Sequence, residues 1–243
     1  MSTSSPSRDK PVAVAWAIHA LTASGAVLAF LAFLAVEQGQ WRLALLWLGA
    51  ALVVDGIDGP LARWAGVRTK TPGIDGSTLD LVVDYLTYVF VPAILIYRAS
   101  LLPDAYAAAG VAAILLSSLY TFARTDMKTV DNFFMGFPAI WNVVAFYLFM
   151  LRPPQWVGAA IVVLFSVLTF APFTFVHPIR VRSYRPWLTI LMALWATGSL
   201  ALLSPDWNSH WLQLWLVLSL TGAGGLFAIG LIRTFRGPPQ VTI

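Results

Sequence analysis

Residues 11–36 read PVAVAWAIHALTASGAVLAFLAFLAV and contain no lysine, arginine, aspartate or glutamate. A helix of about 20 apolar residues crosses the roughly 30 Å hydrocarbon core of a bilayer, so this stretch predicts a transmembrane helix. The same composition extends along the chain, in which 59% of residues are hydrophobic and 11% are charged. Soluble domains carry about 25% charged residues. We therefore expect an all-α, polytopic integral membrane helix bundle.

Seven further apolar segments follow the first, and prolines or charged loops separate them. The eight predicted transmembrane helices are 11–36, 42–63, 78–98, 104–124, 133–151, 154–176, 186–204 and 209–233. They form one membrane domain over residues 11–236, between a disordered cytoplasmic N-terminus at 1–10 and a C-terminal tail at 237–243. The absence of cysteine excludes disulfides, cysteine metal sites and thiol catalysis.

The lysines and arginines orient the bundle. With the N-terminus in the cytoplasm, twelve of the fifteen fall on the cytoplasmic side, and only Arg42, Arg98 and Arg152 fall on the other side. This bias predicts that both termini are cytoplasmic. It also explains the net charge of +4, so we expect no nucleic-acid partner.

Two pairs of aspartates flank the loop after the second span. Asp55 and Asp58 lie near the end of span two, and Asp80 and Asp84 lie near the start of span three. Residues three or four apart share a helix face, and a short loop makes the two helices antiparallel neighbours. Close carboxylates repel unless a cation neutralises them, and hard oxygen ligands suit Mg²⁺, Mn²⁺ or Ca²⁺.

The spacing therefore predicts a site for two divalent cations, an arrangement common in phosphoryl transfer. The simpler explanation is that these are ordinary residues of helix ends. It accounts for Asp80 at a helix start, but poorly for Asp55 and Asp58 near a helix C-terminus, where negative charge is disfavoured.

The same stretch resembles the CDP-alcohol phosphotransferases, whose motif is D-x2-D-G-x2-A-R followed by G-x3-D-x3-D. The matching residues here are Asp55, Asp58, Gly59, Ala62, Arg63, Gly76, Asp80 and Asp84. The twelve residues between Arg63 and Gly76 form a longer gap than is usual in the family. That gap, together with the segments at 124–149 and 175–182, resembles the bacterial branch that makes phosphatidylcholine.

The resemblance implies a bacterial inner-membrane enzyme that condenses choline with CDP-diacylglycerol, giving phosphatidylcholine and CMP, with Mn²⁺ or Mg²⁺ as cofactor. It implies that Asp55, Asp58 and Asp80 are metal ligands and that Asp84 is a ligand, the general base, or both. The nucleotide site it implies consists of Gly59, Ala62, Gly76, the neighbouring Arg63, and His19 and Thr22 in the place of a family Asn-x2-Thr pattern. Family members are often dimers, so a homodimer is a further expectation.

Choline is a quaternary ammonium ion, which aromatic faces bind by cation–π attraction. Aromatic or polar residues that could serve are Tyr85, Tyr120, Asp131, Phe134, Trp141, Asn142 and Tyr147. A basic rim for the lipid phosphate would comprise Arg124, Lys128, Arg180 and Arg182. Both sets also have ordinary explanations, because membrane interfaces enrich aromatic residues and cytoplasmic loops enrich basic ones.

Two alternatives stay open from the sequence. A related enzyme of the family could use serine, inositol or glycerol phosphate as the acceptor. A cation transporter could use the aspartates as an ion path. Transporter sites lie near the membrane midplane and often in repeated halves, whereas these aspartates lie toward the cytoplasm in one half of the chain.

Overall fold

A computed structural model describes residues 11–204 and 209–237 of the chain. The helices are α1 Val12–Glu37, α2 Trp41–Ala65, α3 Val67–Lys70, α4 Gly76–Asp84, a π-helix at Tyr85–Phe90, α5 Val91–Arg98, α6 Asp104–Ala123, α7 Trp141–Leu151, α8 Gln155–Leu168, α9 Arg185–Leu203 and α10 Ser209–Arg236. Two short strands, β1 Phe134–Met135 and β2 Thr174–Phe175, pair antiparallel. The N-terminal segment predicted at 1–10 and residues 238–243 of the predicted tail lie outside the described residues.

The predicted all-α membrane bundle is confirmed. In the described part of the chain, six helices are long and apolar enough to cross a membrane, with α4, the π-helix and α5 forming one of them. The predicted fifth and sixth spans correspond to shorter helices of 11 and 14 residues. The fifth begins at Trp141 rather than at residue 133, because Gly136 has φ +79° and Pro138 follows it. The sixth ends at Leu168, before Pro172 and β2.

The bundle is built from helix pairs. Helix α1 packs along α2, α9 packs along α10, and α6 packs against α8. A continuous apolar core lies among α1, α2, α5, α6 and α7, with Trp141 at 0% exposure. The outer surface of the bundle carries many exposed large apolar side chains, as expected where lipid replaces water.

The turn between α2 and α4 places the aspartate pairs. Helix α2 ends at Gly66, whose left-handed conformation (φ +64°) closes the helix. Helix α4 starts after Asp75, whose side chain accepts hydrogen bonds from the backbone N–H groups of Ser77 and Thr78. The hydroxyls of Ser77 and Thr78 also donate to this carboxylate, and together with the backbone bonds they hold the pKa of Asp75 at about 2, so the cap stays ionised at physiological pH. Asp80 lies just over one turn into the helix that the cap begins.

Candidate active site

Three carboxylates converge where α2 approaches α4. Asp55, Asp80 and Asp84 each present an oxygen, and these three atoms lie within 4.8 Å of one another. All three residues are half-buried. The four-residue spacing of Asp80 and Asp84 puts both on the face of α4 that meets α2. Like charges at this distance repel strongly, so the cluster is compensated either by bound cations or by protons.

Asp58 lies outside that group of three. It is 5% exposed, and its Oδ2 accepts a hydrogen bond of 2.7 Å from the Thr22 hydroxyl on α1. Asp58 is therefore tied to α1, although it lies only three residues from Asp55. All four carboxylates predicted from the motif occupy one end of the bundle, and their oxygens are hard donors of the type that Mg²⁺ and Mn²⁺ prefer.

Tyr88 is a site residue that the motif does not identify. Its hydroxyl donates a hydrogen bond of 2.6 Å to Oδ2 of Asp55, and its side chain is buried at 7% exposure. A signal exists in the sequence, because Tyr88 follows Asp84 by four residues and Asp80 by eight. The π-helical turn that contains Tyr88 cannot be read from the sequence.

His19 and Thr22 lie on α1 beside the aspartates, as the family pattern implies. The His19 ring is buried, and its Nε2 lies 2.8 Å from Oγ1 of Thr71. The hydroxyl of Thr71 also bonds to the carbonyl of Val67 at 3.0 Å, so Thr71 connects His19 to α3. The Cε1–Nδ1 edge of the ring lies against Gly76, where an added Cβ would be 3.2 Å from Cε1.

The remaining motif residues continue along α2. Ala62 is half-buried and packs against the small apolar cluster around Ala65 and Val67. Arg63 is exposed, and an added Cβ at Gly59 would lie 3.4 Å from its Nη1. The guanidinium therefore already occupies the space above Gly59.

Basic residues approach the aspartates from two loops. Removal of water by the surrounding protein lowers the pKa of Lys128, and repulsion by Arg180 adds to this effect. Attraction by Asp80, Asp55 and Asp84 opposes it, so the ammonium lies within electrostatic reach of all three carboxylates. Ile179, next to Arg180, approaches Gly56 one residue from Asp55. Two of the four predicted rim residues, Lys128 and Arg180, thus lie near the cluster.

His177 and Phe134 extend this basic region. Their rings stack with centroids 5.1 Å apart and planes 7° apart, and Lys128 Nζ lies 5.2 Å from the Phe134 centroid. Burial lowers the pKa of His177 to about 3, and the nearby charges of Lys128 and Arg180 contribute. The imidazole is therefore neutral at physiological pH. Phe134, one of the choline candidates, already has a cation near its ring.

The other two rim candidates are placed differently. Arg124 forms two 2.9 Å hydrogen bonds with Asp126 and points another nitrogen toward the carbonyls of Met135 and Thr169. These contacts of Arg124 stabilise the loop that carries Lys128. Arg182 is exposed in the segment between β2 and α9.

The remaining choline candidates contact different parts of the bundle. Asp131 forms a two-point ion pair with Arg233 of α10, at 2.7 and 3.2 Å. Buried Trp141 donates to Ser118, and Tyr147 bonds to Ser219. The Oδ1 atom of Asn142, which is buried, accepts from the next backbone N–H. The last two are Tyr85, which donates to the carbonyl of Leu115, and Tyr120, which is 62% exposed beside Phe170.

A separate cavity of about 590 Å³ lies at the opposite end of the bundle. Glu37 and Arg98, which lie 3.4 Å apart, line it together with Asp104. None of the predicted site residues contributes to this cavity.

Comparison with known proteins agrees with the motif. Residues 17–171 match the CDP-alcohol phosphatidyltransferase family. The chain is 47% identical to the phosphatidylcholine synthase of Pseudomonas aeruginosa over 85% of this chain and 88% of that protein. It is 48% identical to the phosphatidylcholine synthase of Bradyrhizobium diazoefficiens over 81% and 73% of the two chains. Identity to the phosphatidylcholine synthase of Agrobacterium fabrum is 40% over 91% of each chain.

Proposed function

This chain belongs to the CDP-alcohol phosphatidyltransferase family, and we propose that it is a phosphatidylcholine synthase. It would condense choline with CDP-diacylglycerol to give phosphatidylcholine and CMP. The observation that carries this proposal is the convergence of Asp55, Asp80 and Asp84 within 4.8 Å. The choice of choline is supported by the relatives named phosphatidylcholine synthase, which match most of the chain.

The three clustered carboxylates would hold the divalent cations, with Asp58 beside them as the fourth acidic group. Two cations, either Mn²⁺ or Mg²⁺, suit a set of oxygen donors. When bound, they would neutralise the pyrophosphate and stabilise charge on the attacking and leaving oxygens.

The protein side chains then position the substrates and move one proton. Asp84 accepts the hydroxyl proton of choline. The choline oxygen forms a bond to the phosphorus that carries the lipid, and the bond from that phosphorus to CMP breaks. Lys128 and Arg180 attract the anionic nucleotide, and the Arg63 guanidinium beside Gly59 offers further donors to its phosphates. Catalysis rests mainly on positioning and charge complementarity.

The distribution of lysine and arginine supports a site that faces the cytoplasm at the inner leaflet of the bacterial inner membrane. CDP-diacylglycerol would enter sideways between helices, and choline would arrive from the water. The homodimer expected from the family remains a prediction.

An acceptor screen tests the proposal. Purified protein receives CDP-diacylglycerol, Mn²⁺ and one radiolabelled acceptor at a time, namely choline, serine, inositol or glycerol phosphate. We expect label in the lipid fraction with choline, matched by CMP release that requires the metal. Incorporation of a different acceptor would assign the chain to another branch, and no incorporation at all would contradict phosphotransfer.

Asp84→Asn tests whether turnover requires the carboxylate of Asp84. We expect this variant to lose turnover, whereas Asp104→Asn at the far end of α6 should retain it. Helix α6 has 20 residues, which separates its ends by about 30 Å. Substantial turnover by Asp84→Asn would contradict the role of Asp84 as the base.

A further inference from the structure

Tyr88 connects the two helices that carry the aspartate cluster. Its ring is buried at 7% exposure, and its hydroxyl donates a 2.6 Å hydrogen bond to Oδ2 of Asp55. Asp55 belongs to α2, whereas Tyr88 belongs to the span that carries Asp80 and Asp84. A hydrogen bond to a carboxylate is charge-assisted and about twice as strong as one between neutral groups.

Tyr88 makes this contact from a π-helical turn. The six residues Tyr85–Phe90 adopt π-helical geometry directly after Asp84. In a π-helix each N–H bonds to the carbonyl five residues back, so the turn is wider than in an α-helix. Such turns are frequent at functional sites. Tyr88 lies inside this wider turn and reaches Asp55 on α2.

The hydrogen bond from Tyr88 restricts the rotation of the Asp55 carboxylate. Within the described part of the chain, neither Asp80 nor Asp84 has a hydrogen bond to its carboxylate oxygens. Asp55 is thus the member of the cluster whose carboxylate rotation is fixed by a neighbouring side chain. Partners that orient a ligand in this way change metal affinity or activity by about 10–100-fold when they are removed.

We propose that Tyr88 is a positioning residue that fixes the carboxylate of Asp55 for binding a divalent cation. This inference rests on the proposed metal-dependent function. Tyr88 would act through Asp55, so its removal would weaken metal binding without removing a ligand.

The test measures metal binding directly, by electron paramagnetic resonance of free Mn²⁺ titrated with purified protein. Tyr88→Phe removes only the hydroxyl. Tyr85→Phe is the matched control for this readout, because Tyr85 lies in the same π-helix and its hydroxyl donates to the carbonyl of Leu115. We expect Tyr88→Phe to weaken Mn²⁺ binding about 10–100-fold, and Tyr85→Phe to bind Mn²⁺ as the wild type does.

A second measurement shows whether Tyr88 acts through Asp55. If it does, adding Tyr88→Phe to Asp55→Asn should weaken Mn²⁺ binding no further, since the two changes are then non-additive. The concentration of Mn²⁺ for half-maximal turnover should rise in Tyr88→Phe, and kcat should recover at saturating Mn²⁺.

Each other outcome is decisive. Unchanged Mn²⁺ binding in Tyr88→Phe overturns the role of Tyr88 while leaving the proposed function intact. If Tyr85→Phe weakened Mn²⁺ binding equally, the effect would come from helix packing. If the losses in the double variant were additive, Tyr88 would not act through Asp55. Either result overturns the positioning role of Tyr88. A wild-type protein that binds no Mn²⁺ and shows no metal-dependent turnover would overturn the proposed function itself.

Discussion

Replacing Asp131 with asparagine should destabilise the protein by about 2–4 kcal/mol. Removing one partner of a buried ion pair costs about 3–5 kcal/mol, because the other charge stays buried without compensation. The side chains of Arg233 and Asp131 retain 11% and 15% exposure, which moderates this cost. The pair is bidentate, at 2.7 and 3.2 Å, and Thr129 also donates to Asp131 at 2.6 Å.

Thermal unfolding of the detergent-purified protein, followed by circular dichroism, measures the effect. For a chain of this size, 1 kcal/mol corresponds to about 2–4 °C in Tm, so we expect Asp131→Asn to lower Tm by about 4–16 °C. The control is Asp126→Asn, which breaks the pair with Arg124. The Asp126 side chain is 72% exposed, so that variant should lose no more than about 1 kcal/mol.

The exchanged variant Asp131→Arg/Arg233→Asp provides a stricter test. It should recover part of the loss seen in either single reversal, because the opposite charges still meet. Full recovery is not expected, since Thr129 cannot donate to an arginine at position 131. The reasoning is refuted if Asp131→Asn melts no lower than Asp126→Asn, or if the exchanged variant is less stable than both single reversals.

Acid should remove the same contribution. Arg233 and Thr129 hold the pKa of Asp131 below its ordinary value of 3.8. A carboxyl group whose pKa falls on folding stabilises the native state above its unfolded pKa, and this stabilisation is lost as the pH falls through the folded value. The Tm difference between wild type and Asp131→Asn should therefore be constant at neutral pH and shrink below pH 3.8. A difference that persists undiminished in strong acid would contradict this assignment.

Three further substitutions probe other contacts. Thr22→Val keeps the side-chain shape but removes the hydrogen-bond donor to Asp58. A hydrogen bond to a charged group contributes about 1.5–3 kcal/mol, so Mn²⁺-dependent kcat/KM should fall about 10–100-fold. Unchanged kinetics would contradict a role for this hydrogen bond. Gly76→Ala places a Cβ 3.2 Å from His19 and should raise KM for CDP-diacylglycerol with little change in Tm; a large Tm loss instead would indicate a packing role. Gly136→Ala adds a Cβ at a position with φ +79°, where it would overlap the carbonyl oxygen of Thr169 at the end of α8. The free energy of unfolding should fall by about 3 kcal/mol or more, and gel filtration should show poor recovery of monodisperse protein.

The sequence predicted the helical bundle well because long apolar runs have one stable conformation in lipid. It failed at the ends of the fifth and sixth helices. Apolarity continues through residues 133–140 and 169–176, so composition alone extends both helices. The structure ends them at backbone features, the positive φ of Gly136 and the proline at 172.

The aspartate site was predictable because its residues follow helical spacing on two adjacent helices. Contacts between distant segments were not. Asp131 looked like a free carboxylate for choline, yet its partner Arg233 lies 102 residues away, and no local pattern connects the two. The hydrogen bond between Tyr88 and Asp55 likewise joins residues 33 positions apart in the chain, so it becomes apparent only in three dimensions.

The short helices α7 and α8 have a consequence for the shape of the surrounding membrane. At about 1.5 Å per residue they measure about 16 and 21 Å, less than the roughly 30 Å of hydrocarbon. Both stop short at the end that leads to β1 and β2, the side of the aspartates. Where a helix is this short, either the bilayer thins beside it or other parts of the protein cover the backbone that continues from it. Before α7 the buried side chains of Phe133, Phe137 and Ala139 provide that cover, so we expect thinning of the bilayer only beside α8, where Phe170 after the helix is 61% exposed.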